Sequence, residues 1–267
     1  MTDITPTRNE LMAVAISAAL RDDDVVFVGV GTSGRAFTLA VGIPLVAARL
    51  AQLDHAPGLD IYWGNLLSPD LTDVPAHLTQ DAITRWRGAY APADVGQKVD
   101  MLVRGEFDVS FESAAQVDRH GNLNITRIGT PERPKVRLVG CLAQPEHLAF
   151  VRRPIIVTDL SSRVFVDHVD HITSFGYGNG TRSRESLGYA GGGPSLVVTD
   201  HGVFDFTADG RMRLRSLHSG VTLEDVRSRM SFDPETAEDL SETSAPAVST
   251  LRAIREEIDP SGALLRT

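Results

Sequence analysis

The chain has 267 residues, 42% of them apolar, enough for one large domain or two small ones around a substantial core. Its 26 Lys and Arg against 35 Asp and Glu leave a net charge of −9, which argues against nucleic acid or an anionic membrane as the main partner. A single cysteine, Cys141, excludes an intrachain disulfide and any Cys-rich zinc motif, and fits a reducing compartment.

The opening stretch MTDITPTRNELMAVAISAALRDDDVV interrupts its apolar residues with acids and lacks the basic start and small-residue cleavage pattern of a secretory signal. No run approaches the roughly 18 uninterrupted apolar residues of a membrane span, so a cytoplasmic location is expected. Apolar positions at helical spacing (Leu11, Met12, Val14, Ala15, Ile16, Ala19, Leu20) predict a helix from Thr7 to Leu20, with Thr7 or Asn9 as N-cap. VVFVGVG then has the unbroken apolar pattern of a strand buried on both faces of a parallel sheet. Residues 44 to 53 predict a helix with Pro44 in its first turn, followed by the strand LDIYW. VDMLVRGEFDVSFESAAQVD supplies a short helix, a glycine turn and a further strand. Strands alternating with helices predict an α/β class with an open, mostly parallel sheet flanked by helices.

From about residue 151 the texture becomes β-rich, and RRPIIVTD, RVFVDHVDHITSFG, PSLVVTDHGVFDFT and MRLRSLHSG predict added antiparallel strands in the C-terminal half. The Gly-rich stretch TSFGYGNGTRSRESLGYAGGGPS is too long for an ordinary connection and reads as a functional or partly mobile loop. Residues 222 to 230 and 246 to 257 read as helical, and the last eight or so residues as fraying.

Three patterns invite a chemistry that their context does not support. GVGTSG, residues 29 to 34, satisfies the dinucleotide glycine spacing, and Asp54 lies 20 residues beyond Gly34. Asp54 falls at a helix end, however, and the next strand closes on Trp63, Gly64 and Asn65 without an acid. In DHVDH, a strand would set His168 and Asp170 on one face and Asp167 and His171 on the other, so no metal is expected. Cys141 reads as a small buried hydrophobe before it reads as a nucleophile.

Five segments in order, IPLVAARLAQLDHAP, AAQVDRHGNLNITRIG, FVDHVDHITSFGYGNG, GGGPSLVVTDHGVFDF and LHSGVTLEDV, resemble the β-type subunit of the two-subunit class I CoA-transferases. The resemblance runs over most of the chain and implies a single domain over residues 1–267. It also implies an α-type CoA-transferase subunit as partner and an acyl-CoA substrate at the subunit interface, with no cofactor beyond the coenzyme A of the substrate. Transferases of this family carry a nucleophilic glutamate where this chain has Gly64, so a covalent glutamyl route has no nucleophile at that position. GCLAQPEHL, residues 140 to 148, keeps one glycine of the family's glycine-rich loop, and VGVGTSGRAFTLAVGIP holds about ten extra residues around a glycine turn. One branch of the family, the CoA-transferase-like hydrolases that open a steroid-derived ring, shares the Gly and the QVDR-x-GN-x-N pattern. The resemblance therefore implies a hydrolase, with a true CoA-transferase and a non-catalytic scaffold subunit as alternatives.

The expected catalytic residues are Glu112 and Asn65. Glu112 has two readings: a general base, or an acid on a strand face that meets solvent or the partner. Asn65 is a neutral donor for a water or an oxyanion. Gly64, Gln116, Asp118, Gly121, Asn122, Gly191, Gly192 and Gly193 are expected to shape the substrate and CoA site. Among them Gly121-Asn122 supplies a tight turn and Asp118 caps the backbone beside it.

Overall fold

The computed structural model describes residues 5–29, 33–64, 66–71, 87–90, 94–178 and 184–265. The chain forms two compact units, one of Met1–Lys98, Phe107–Phe111 and Ser244–Thr267, the other of Val99–Glu106 and Glu112–Thr243.

In the first unit, α1 (Arg8–Ser17) starts at Thr7, whose hydroxyl accepts the Glu10 amide at 3.2 Å while the Glu10 carboxylate accepts the Thr7 amide at 2.7 Å. Thr7 is thus the cap. Asn9 instead donates to the Leu265 carbonyl at 2.7 Å. Strand β1 (Val25–Val28) is flanked in parallel by β2 (Asp60–Trp63) and β5 (Val109–Glu112), with Val28 opposite Trp63 and Phe27 opposite Ser110. β3 (Leu66–Leu67) and β4 (Ala89–Tyr90) extend this sheet beyond β2 in antiparallel sense. Phe27, Tyr62 and Phe107 interlock on it with ring centroids 5.2 to 6.0 Å apart.

The stretch read as a loop followed by a helix at 44–53 is one 21-residue helix, α2 (Gly34–Asp54). It passes through a π-helical turn at Thr38–Gly42 just before Pro44. Proline lacks an amide hydrogen and its ring crowds the carbonyl four residues back, so a locally widened turn lets the helix continue without breaking. A Cβ on Gly42 would lie 1.9 Å from the Leu264 carbonyl oxygen, so the C-terminal segment packs here only against glycine. The helix is long and apolar enough to cross a membrane, yet 72% of its most apolar window is buried, as in a core helix. α3 (Val95–Val103) follows, and α6 (Val248–Arg252) runs into a π-helical turn, Ala253–Ile258, from which Arg255 grips Glu10 with both Nε and Nη2.

The second unit contains a sheet in the order β14-β13-β12-β11-β10, built from β10 (Ile155–Val157), β11 (Leu196–Val198), β12 (Gly202–Phe206), β13 (Met212–Leu217) and β14 (Glu235–Glu242). β10 and β11 are parallel, β11, β12 and β13 antiparallel, and β13 and β14 parallel, so the antiparallel strands expected here are present. β6 (Gln116–Val117) pairs with β7 (Leu123–Asn124), and β8 (Arg127–Gly129) with β9 (Pro134–Arg137), as two separate ribbons. Val117, Leu123, Leu148, Ile156, Phe165, Phe204 and Leu214 form the core, together with the short helices α4 (Gln144–Phe150) and α5 (Leu223–Arg227).

RVFVDHVDHITSFG is not the strand its β-branched composition suggests. It makes single bridges, Phe165 to Val117 and Ser174 to Leu123, and its Asp167 and Asp170 are engaged by Arg119, Gln116 and Gly129. β14, by contrast, was not expected from ETAEDLSE, which has little apolar alternation. It is an acidic strand at the end of the sheet, where charge is tolerated, and Glu235 pairs with Arg211 at 2.7 Å.

Candidate functional site

Glu112 closes β5 and does not meet solvent: it is 4% exposed, and Ser110 on the same strand face is fully buried. Its Oε1 lies 2.8 Å from Nδ1 of His147, itself 8% exposed. A buried carboxylate against an imidazole favours the proton on Nδ1 and directs Nε2 to any further role. The pair exists because α4, begun by Pro145, presents Gln144 and His147 on one face at i, i+3. Gln144 Nε2 donates to the Ser113 carbonyl and its Oε1 accepts from Ser174, both at 3.0 Å, which pins the helix between these two segments. His147 lies in the quoted GCLAQPEHL but carries no sequence signal of its own. Only the docking of α4 reveals it.

The QVDRHGN segment folds into two hydrogen-bonded knots. In one, Gln116 Oε1 accepts from Asn124 Nδ2 at 2.7 Å and from the Asp170 amide at 3.0 Å, and Asp170 in turn accepts the Gly129 amide at 2.8 Å. In the other, Asp118 Oδ1 accepts the amides of His120 and Asn122 at 3.0 and 3.1 Å, and Asn122 Nδ2 lies 2.9 Å from its Oδ2. Asn122 also accepts the Gly176 amide and donates to the Gly178 carbonyl. Burial pushes the Asp118 carboxyl above its ordinary range, opposed by the Asn122 side chain and the two amides. Gly121 turns the chain at φ 68°, and a Cβ there would lie 2.8 Å from Phe206 and 2.9 Å from Pro194.

Gly191 and Gly192 are close approaches, since a Cβ on either would lie 2.4 to 2.6 Å from the Val151 or Arg152 carbonyl oxygen. Gly193 holds φ 81° against the Arg184 side chain. Arg184 is buried and spends its guanidinium on carbonyls: Nε on Gly191, Nη1 on Phe175 and Gly176, and Nη2 on Leu148 and Ala149. Tyr189 stacks over it at 5.3 Å. The described part of the Gly-rich stretch is therefore clamped rather than loose, while residues 179–183 lie outside the described residues.

In the first unit, Gly64 ends β2 at φ 59°, its amide 3.3 Å from the Val28 carbonyl. Asn65 lies outside the described residues. Asp54 sits at the end of α2 beside His55, and residues 30–32 of the GVGTSG pattern lie outside the described residues. Cys141, expected to be buried, is exposed. It follows the β8–β9 ribbon and has no core to enter. In DHVDH, Asp167 pairs with Arg119, and Asp170 is bound by Gln116 and Gly129. Among the described residues no group of three or more His, Cys, Asp or Glu is placed to hold a metal ion.

A family profile for coenzyme A transferases matches residues 9–229. The B-type subunit of the 3-oxoadipate CoA-transferase of Pseudomonas knackmussii is 34% identical over 249 residues, covering 92% of this chain and 91% of the relative. The cholesterol ring-cleaving hydrolase IpdB subunit of Mycobacterium bovis is 32% identical over 255 residues, covering 95% of each chain. The crystal structure of glutaconate coenzyme A-transferase from Acidaminococcus fermentans superposes with a TM-score of 0.82 at 30% identity, covering 98% of each chain.

Proposed function

The chain belongs to the coenzyme A transferase family as a B-type subunit, and from that membership we propose that it pairs with an A-type subunit to act hydrolytically on an acyl-CoA, with water in place of a glutamate nucleophile. The observation that carries the reading is Gly64, a residue without a side chain at the carboxyl end of a parallel strand, where ligands of open α/β sheets gather. The similarity to a ring-cleaving hydrolase subunit supports it.

In this reading Glu112, oriented by His147, is the carboxylate available for proton transfer, and the Asn65 amide serves a water or oxyanion. The QVDRHGN knots and the Gly191–Gly193 run shape the substrate site. A positioned proton-transfer group typically contributes about 100- to 10,000-fold. Glu112→Gln keeps the shape and an acceptor, so it is expected to lower kcat at least 100-fold with little change in KM. An unchanged kcat with a lower melting temperature would make Glu112 structural only.

The identity to the B-type subunit of a 3-oxoadipate CoA-transferase favours a second reading, CoA transfer with the reactive residue on the partner. One assay separates them. The purified two-subunit complex is expected to consume acyl-CoA with no acceptor acid present and to leave no adduct trapped by hydroxylamine or borohydride. Strict dependence on an added carboxylate, with a trapped glutamyl adduct, would establish transfer instead.

A further inference from the structure

The Glu112–His147 pair shares one hydrogen across 2.8 Å, and a proton drawn from water can come to rest either on the carboxylate or on Nε2 of the imidazole. Three properties favour the imidazole. In water an imidazole binds a proton about two pH units more tightly than a glutamate carboxylate does. With Nε2 protonated, the ring donates from Nδ1 to a full negative charge, and a charge-assisted bond of this kind is about twice as strong as a neutral one. His147 is also the less enclosed partner, its side chain 10% exposed against 5% for Glu112.

The placement of both residues suits the chemistry. Glu112 ends β5, a strand parallel to β1, and ligands of open α/β sheets gather at carboxyl ends of strands. His147 lies in GCLAQPEHL, the stretch that resembles the family's glycine-rich loop. Gln144, one turn earlier on the same face of α4, is bonded to Ser113 and Ser174, so the ring is held on Glu112 as its charge changes.

We propose, on the hydrolytic reading above, that His147 is the proton acceptor for the attacking water, and that Glu112 takes part through Nδ1 as a positioning residue, fixing the tautomer and facing the imidazolium that forms. In the step, a water O–H bond breaks as its oxygen bonds to the substrate carbonyl carbon, the carbonyl π pair moves to oxygen, and the proton settles on Nε2. On collapse the carbonyl re-forms, the bond to the leaving group breaks with its electron pair, and Nε2 returns the proton to that group.

The purified two-subunit complex, assayed without an acceptor acid, tests this in wild type, His147→Asn and Glu112→Gln with kcat and KM followed against pH. An asparagine keeps a donor near the place of Nδ1 but has no basic nitrogen. His147→Asn is therefore expected to assemble, to keep KM within about threefold, and to lower kcat by about 100-fold or more, with the acidic limb of the kcat profile abolished. Only the unprotonated imidazole accepts, so wild-type kcat falls as pH is lowered. Glu112→Gln removes the negative charge that favours imidazolium, so its limb survives and moves to lower pH. Arg184, on the Leu148 and Ala149 carbonyls, and Glu146, on α4 itself, are the same in all three proteins, so a moved limb reports the pair.

The mirror image, a limb abolished in Glu112→Gln and only moved in His147→Asn, would overturn the assignment and seat the proton on Glu112. Wild-type kcat in an assembled His147→Asn complex would overturn it too. If His147→Asn does not assemble, the Glu112→Gln profile decides alone, a moved limb supporting the assignment and an abolished one overturning it. A wild-type complex inert without an acceptor acid would remove the hydrolytic reading itself, and the assignment with it.

Discussion

Asp118 and Gly121 carry most of the shape of the QVDRHGN turn. Gly121 holds φ 68° with Phe206 and Pro194 closing on its open side, so a methyl group there meets both backbone strain and overpacking. Gly121→Ala is expected to cost about 2–4 kcal/mol, seen as a lower urea midpoint with an unchanged slope. At Asp118 desolvation holds the folded pKa above the unfolded one, so the folded state binds that proton more tightly. Its contribution to stability is therefore full below the ordinary carboxylate pKa and is lost as pH rises through the raised folded value. Asp118→Asn removes this titration, and its urea midpoint should vary less with pH across that acidic window than the wild-type midpoint does. Parallel profiles for the two proteins would show that Asp118 titrates in the folded chain as it does in the unfolded one. The motif was legible because glycine, asparagine and aspartate each have a conformational reason to be in a tight turn. The Glu112–His147 pair was half legible: the acid stood out in an apolar strand, but nothing in the local sequence says that a helix 35 residues later brings it an imidazole.

Among the elements, α4 and the clamped glycine run depend on one side chain. Arg184 joins α4, the Phe175–Gly176 turn and Gly191 through carbonyl acceptors alone, and burial lowers its pKa against the opposing influence of Tyr177 and Tyr189. A lysine has three donors on one nitrogen in place of the five N–H groups of a planar fork, so it cannot serve all five carbonyls. Arg184→Lys is expected to destabilise the chain by about 2–4 kcal/mol, because buried carbonyls lose their donors. A melting temperature equal to wild type would show the segments to be held by their backbone packing. α2 shows a different limit. Periodicity located its second half, but the π-helical turn that carries it past Pro44 is a tertiary accommodation that helix propensity does not anticipate. β14 was missed for the opposite reason, since an edge strand needs no apolar alternation.

For the assembled enzyme, the proposal that Gly64 stands in the place of the transferases' glutamate predicts a gain as well as a loss. Gly64→Glu would place a side chain at φ 59°, at a cost of about 1–2 kcal/mol, and is expected to leave the complex assembled. If water replaces a missing nucleophile, this variant should accumulate an acyl-CoA-dependent adduct sensitive to hydroxylamine, while the wild-type complex does not. An adduct in the wild type, or none in the variant, would separate Gly64 from the chemistry. The sequence by itself determined the α/β class, the family and the turn chemistry, because periodicity, glycine placement and ordered motifs are local properties of the chain. Tertiary structure alone decided that Glu112 is buried against His147, that Asp118 is buried, that Arg184 is held by carbonyls of other segments, and that Cys141 is exposed. Those facts depend on which remote segments desolvate or pair with a group, and no local pattern encodes that.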